Sequence, residues 1–144
     1  MNKAHLTAIS RKAPSVPMRR LHKANRLQGR NMLDYGCGRG YDADTYGMDK
    51  HDPHYYDRGD LCIGDYDVIT CNYVLNVIDC PKARQAVLDD IRVLLMKGGI
   101  AYITVRRDIK TEGYTKRNTY QENITLNLPI LWENKQYCTY ILSY

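Results

Sequence analysis

Residues 33–42, LDYGCGRGYD, set an acid two positions ahead of three glycines that alternate at 36, 38 and 40. The lead-in from Asn31, NMLDY, is apolar and reads as a short strand that runs straight into them. A strand that ends in glycines can bend tightly, and the missing Cβ atoms let a ligand approach the backbone. The spacing is GxGxG, not the GxGxxG that sets a helix N-terminus against a pyrophosphate, so a dinucleotide-dependent oxidoreductase is disfavoured. Asp34 points the same way. A carboxylate at the carboxyl end of a strand repels phosphate and attracts an ammonium or sulfonium group. Asp34, Gly36, Gly38 and Gly40 are therefore the first candidate binding residues, for a small cationic guest.

The elements that must hold this bend are read from hydrophobic periodicity. Residues 66–78, YDVITCNYVLNVI, are a nearly unbroken apolar run of the buried parallel-strand type. The clearest helix comes next, with Asp79 as N-cap and Pro81 near its first position. Ala83, Ala86, Val87, Ile91, Leu94 and Leu95 form its stripe, Gly98 and Gly99 stop it, and Arg84, Asp89, Asp90 and Arg92 face water. Residues 100–105, IAYITV, are a β-branched strand, so strand, helix, strand implies a right-handed parallel crossover. Residues 128–142 read as strand, polar turn, strand, an antiparallel hairpin. Between them, residues 106–123 are polar and aperiodic, which predicts a surface loop with at most a turn of helix, on the side where open parallel sheets bind ligands. The fold class is α/β.

A chain of 144 residues predicts one domain. Its apolar runs fall short of the roughly 20 residues of a membrane span. The N-terminus has no apolar signal-peptide core, and five cysteines form no CxxC pair, which together suggest reduced thiols in the cytoplasm. Charge is uneven: residues 1–30 hold eight Lys or Arg and no acid, so the net charge of +5 resides there. Residues 1–16 are broken by Pro14 and expected to be extended. Pro17 opens a short helix with Leu21, Ala24 and Leu27 as its apolar face and Gly29 as its terminator, lying over an edge of the domain. The division is thus a basic arm and helix at 1–30 and a domain at 31–144.

LDYGCGRGYD resembles motif I of the class I S-adenosylmethionine-dependent methyltransferases, and the order of parts over residues 30–144 is similar. The resemblance implies a Rossmann-like sheet, mostly parallel with a C-terminal antiparallel hairpin, and S-adenosylmethionine as the cofactor on Asp34, Gly36, Gly38 and Gly40. In that family an acid at the end of the second strand accepts the ribose hydroxyls. Asp52 in GMDKHDP is the first choice and Asp49 the second, and either also reads as a solvated turn carboxylate. Only about ten residues separate Gly40 from this acidic cluster, so the helix between them is trimmed to one or two turns. A vestigial third strand at 61–63 leaves Asp60 or Leu61 beside the adenine ring.

The resemblance also puts Asn72 and Tyr73 at the strand end from which these enzymes address the methyl acceptor, making them the candidate catalytic positions. Their setting, CNYV, is neither the Asn-Pro-Pro-Tyr nor the Pro-Cys pattern. Cys71 reads as a buried thiol ahead of a nucleophile, and His51 and His54 as turn histidines ahead of metal ligands, so no metal site is expected. A narrower likeness lies in TAISRKAPSVPMRRL, LDYGCGRGYD, Asp52-Pro53 and NYVLNVI, which are similar to methyltransferases found beside DNA phosphorothioation systems and to small phage relatives. It implies a bacterial or phage source and a basic N-terminal run that belongs to the domain. The expected function is a small methyltransferase. The basic run, with Arg106, Arg107, Lys110, Lys116 and Arg117, suggests a nucleic acid as acceptor through phosphate neutralisation. A catalytically inactive, methyltransferase-like binding protein is the alternative that the trimmed helix favours.

Overall fold

In the computed structural model, which describes residues 3–56, 61 and 63–144, the strands in chain order are β1 (Met32–Tyr35), β2 (Asp49–His51), β3 (Tyr66–Asn72), β4 (Leu95–Arg106), β5 (Gly113–Tyr114), β6 (Tyr120–Gln121), β7 (Ile130–Glu133) and β8 (Tyr137–Ser143). Among the described residues three α-helices accompany them, α1 (Val16–Lys23), α2 (Tyr41–Tyr46) and α3 (Pro81–Leu94), with 3₁₀ turns at Ala4–Thr7 and Leu75–Val77. Six strands form one sheet in the order β2-β1-β3-β4-β8-β7. The first four are parallel, and β8 and β7 add antiparallel at one side, which is the expected α/β sheet with its terminal hairpin.

Period-two alternation assigns the two faces. Leu33, Ile69, Cys71, Ala101, Ile103 and Val105 pack against Leu88, Ile91 and Leu94 of α3. Val68 and Tyr102 face the other way and bury Met18 and Leu21 of α1 and Ala43 of α2. Helix α1 thus covers a sheet face, not an edge. Met18 and Leu21 are fully buried, each worth on the order of 2 kcal/mol, which anchors the basic segment to the domain. On this same face the sheet turns polar toward the carboxyl ends of the strands: Thr70 donates to Asp34, and the Thr104 and Thr139 hydroxyls pair at 2.8 Å.

Several expected boundaries move, each for a tertiary reason. The apolar run 66–78 is not one strand. It ends at Asn72, where Tyr73 takes φ +59°, and residues 75–77 curl into a 3₁₀ turn that buries Leu75 and Val77. Helix α3 is capped by Cys80, not Asp79, and stops at Leu94, because Leu95 already pairs with Tyr66. Gly98 and Gly99 therefore lie inside β4; a Cβ on Gly99 would sit 2.9 Å from the Tyr66 carbonyl oxygen. Ala83 and Ala86 are exposed, whereas Arg84 is half-buried and donates to the Ile78 carbonyl at 2.6 Å. Helix α1 ends at Lys23, terminated by Asn25 at φ +58° and not by Gly29, which leaves Ala24 exposed. Residues 106–123 contain the β5–β6 hairpin and no helix. The vestigial strand at 61–63 does not form: Leu61 is outside any strand, Ile63 is in a turn, and residue 62 lies outside the described residues. Among the described residues no helix is long and apolar enough to cross a membrane.

Candidate functional site

The glycine bend leaves β1 at Tyr35 and is stitched to the end of β2. The backbone N–H groups of Gly36 and Cys37 both donate to the His51 carbonyl, at 2.7 and 3.0 Å, and Gly38 N–H donates to Asp52 Oδ2 at 2.9 Å. Gly36, Gly38 and Gly40 all have positive φ (+77°, +56° and +88°), which explains why side chains are excluded there. Their missing Cβ atoms serve the protein's own contacts as well. A Cβ on Gly36 would meet Val74 Cγ2 at 2.3 Å, and one on Gly38 would meet Ala8 at 3.2 Å.

Above the bend lies a cleft of about 800 Å³, toward the upper end of small-molecule sites. Its walls include the glycine loop, Asp34, Asp52, Asn72, Tyr73 and, on the far side, His5, Ala8, Arg11 and Ser15 from the N-terminal segment. That segment is no free arm. Lys3 N–H donates to Asn118 O, the His5 ring stacks on His54 at 4.0 Å, and Tyr41 donates to Lys12 O. Its far end is pinned where Ser15 gives both its N–H and its hydroxyl to the buried Asp42 carboxylate, at 2.8 and 2.7 Å.

Asp34 is only 4% exposed, with Thr70 Oγ1 donating to it at 2.9 Å. Burial pushes its carboxyl up to about 7; Asp42 and Asp52 push the same way, while Thr70 and Arg11 oppose them. Such a group ionises readily once a cation arrives. Asp52 accepts from three backbone N–H groups: Gly38 on Oδ2, and His54 and Tyr55 on Oδ1. Asp49, at the opposite end of β2, accepts from the Tyr66 hydroxyl at 2.8 Å and is not on the cleft wall. Leu61 packs into the α3-side core away from the cleft, and Asp60 lies outside the described residues. Asn72 and Tyr73 both line the cleft, and burial with Tyr137 nearby pushes the Tyr73 hydroxyl up to about 12. Burial also raises the Cys71 thiol, and with Asp34 and Asp52 it raises Cys37 to about 12, so neither is a thiolate at neutral pH.

No protein-family model matches the chain, and no curated protein matches it in sequence. Solved structures do. The Burkholderia thailandensis 1,6-didemethyltoxoflavin-N1-methyltransferase, with 1,6-didemethyltoxoflavin and S-adenosylhomocysteine bound, superposes with a TM-score of 0.62 at 16% identity, over 88% of this chain and 76% of that one. A complex of DhpI with SAM and HEP superposes with a TM-score of 0.52 at 12% identity, over 88% and 87%. The fold is that of a methyltransferase. A third structure, from work on conversion of a disulfide bond into a thioacetal group in echinomycin biosynthesis, gives 0.51 at 20% identity, and this chain spans 50% of its length.

Within this methyltransferase fold the glycine loop and Asp34 line one side of the cleft, and the basic N-terminal segment, which the sequence offers as a wall for an acceptor, supplies the opposite side through a residue not singled out there, Arg11. Arg11 is half-buried, lines the cleft and lies within electrostatic reach of both Asp34 and Tyr73. Its only signal was membership of the TAISRKAPSVP run, which has no periodicity from which a position could be inferred.

Proposed function

We propose that this chain binds S-adenosylmethionine in the cleft over residues 36–40 and transfers its methyl group to an acceptor beside Asn72 and Tyr73. One observation carries the reading. Buried Asp34 and half-buried Arg11 share the cleft within electrostatic reach of each other, the charge complement of an amino-acid zwitterion, in a chain with a methyltransferase fold. Bound there, S-adenosylmethionine supplies a methyl on a sulfonium that leaves by in-line displacement, so positioning and water exclusion suffice without a dedicated acid or base. Asp34 then faces the cationic part and Arg11 the carboxylate. Asp52, not Asp49, takes the ribose. A carboxylate offers about four acceptor directions, of which three are used by Gly38, His54 and Tyr55, so Asp52 has one on Oδ2 for a hydroxyl.

A nucleic acid acceptor is supported by the meeting of the two basic segments: Lys3 bonds Asn118, Lys12, Lys110, Lys116 and Arg117 are exposed nearby in sequence, and Arg11 and Arg106 line one cleft. Binding without turnover is favoured by the short α2 and by the lack of a strand between β2 and β3 among the described residues. Calorimetry with S-adenosylmethionine and S-adenosylhomocysteine tests the reading, with Asp34→Ala and Gly38→Val as controls that lose binding. A wild-type protein that binds neither overturns it. Binding with no turnover on nucleic acids or small acceptors selects the inactive binding protein.

A further inference from the structure

The cofactor reading leaves two carboxamides unexplained at the β3 end of the cleft. Asn72 has both Oδ1 and Nδ2 shut away from solvent with no partner among the described residues, and Asn76 Oδ1 is in the same state. The Asn76 amide is held in place, since Nδ2 donates to Gln121 Oε1 on β6 at 3.0 Å. Enclosed amide atoms are nearly always paired in folded proteins, because leaving them unpaired forfeits their hydration for nothing. Three such atoms on one wall point to a ligand that completes them.

Backbone strain marks the same spot. Tyr73 follows Asn72 at φ +59°, a region that bulky residues avoid, and is held there by its N–H bond to Thr104 O at 2.8 Å. The turn stops the strand at Asn72 and leaves both residues on the cleft wall. At this end Arg106 Nε bonds Asp108 at 2.9 Å, Gln121, Gln136 and Tyr137 are neutral, and the one charge without a partner named above is Arg11, which the proposed function gives to the cofactor's carboxylate.

We propose that Asn72 and Asn76 form a subsite for the edge of a neutral planar lactam, an adjacent carbonyl and ring N–H, carried by a free heterocycle or by a nucleic-acid base. Such an edge offers one acceptor and one donor side by side, the inverse of the Asn72 Nδ2–H and Oδ1 pair, and Asn76 Oδ1 is left for a second N–H where the ring carries one, as uracil does and 2-pyridone does not. With Arg11 paired to the cofactor's carboxylate, a charged aromatic acid or amine would enter with no countercharge, so the comparison with benzoate and benzylamine is read in the presence of S-adenosylhomocysteine. The inference deepens the methyl-transfer reading by naming the acceptor class, and it can be tested apart from it.

The test is a set of calorimetric titrations of the wild type, Asn72→Leu and Asn72→Asp, with and without S-adenosylhomocysteine. The probes are uracil, 2-pyridone, benzoate, benzylamine and a single-stranded DNA oligonucleotide, with thermal melting of each free protein alongside. The two lactams are expected to bind the wild type and to weaken about tenfold or more in both variants. Asn72→Leu should not lower the melting temperature, because it removes an enclosed unpaired amide. DNA binding that free uracil displaces assigns the lactam to a base; lactam binding without DNA binding assigns it to a free heterocycle, and both uphold the subsite. Preference for benzoate or benzylamine, lactam binding unchanged in Asn72→Leu, or a clear drop in its melting temperature overturns the proposal. Failure of S-adenosylhomocysteine to bind removes the methyl-transfer reading, while titration of the free protein still decides the lactam subsite.

Discussion

The two halves of the cleft are built on opposite rules. In the glycine half the bend and two of the three acids beside it are tied down by N–H groups: Asp52 holds three backbone N–H groups, Asp42 holds Ser15, and Val74 and Ala8 fill the space the glycines leave. In the β3 half, amide atoms of Asn72 and Asn76 are left without partners and Tyr73 is held at a costly φ. The first half is preorganised and would change little on binding. The second, under the proposal above, would be completed by the guest that enters it. Under the proposed function this division has a purpose: a methyl donor that is the same in every turnover would suit a finished seat, whereas acceptor choice would rest on groups whose pairing depends on the guest.

The largest effect expected concerns the one acid of the glycine half that is not tied down by N–H groups. Asp34 titrates near 3.8 when unfolded and about 7 in the fold, so between those values the folded protein binds more protons than the unfolded chain. Stability of the free protein therefore falls as pH rises from 4 to 7 and levels off above. At pH 8 Asp34→Asn is expected to be more stable than the wild type by as much as about 4 kcal/mol, with little difference at pH 4, read by urea unfolding. A difference that does not grow with pH would mean that Asp34 is not held in this environment. Ligand affinity should move the other way. S-adenosylhomocysteine binding to the wild type tightens between pH 6 and 7.5 as Asp34 ionises, and stays flat in Asp34→Asn.

Next in size is Gly36→Ala, with an expected loss of about 2–3 kcal/mol: about 1–2 for a side chain at φ +77° and the rest for contact with Val74. Adding Val74→Ala should return only the contact part, and full recovery would show that φ is not the constraint. Asp52→Ala should lose about 2 kcal/mol through its N–H partners, with Asn recovering part of it. Ser15→Ala removes one hydroxyl bond to Asp42, for about 1 kcal/mol, and should speed amide exchange in residues 3–12 more than in the sheet. The smallest change belongs to the other half. Tyr73→Gly deletes a large half-buried side chain yet should shift stability by no more than about 1 kcal/mol, because relief of the positive φ offsets the lost packing. If it costs as much as Gly36→Ala, the contrast between finished and unfinished halves fails.

Whatever rests on neighbours in the chain could be read from the residues alone. The glycine bend after a short strand, the acid beside it, the apolar runs of β3 and β4, the Val87, Ile91 and Leu94 part of the α3 stripe and the closing hairpin are all local patterns with period or punctuation. The pieces that went unread depend on pairs far apart in sequence. Tyr66 pairing with Leu95 ended α3 early, the Thr104 carbonyl held Tyr73 in its turn, and Ser15 with Asp42 folded a basic, aperiodic run over the cleft with Arg11 inside it. Nothing in the letters Asn72 and Asn76 says that their amides are unpaired; that depends on which groups the fold fails to bring near them. Local backbone preference and hydrophobic period act over a few residues and leave a signature in the sequence, whereas contacts closed by the fold exist only once distant segments have met.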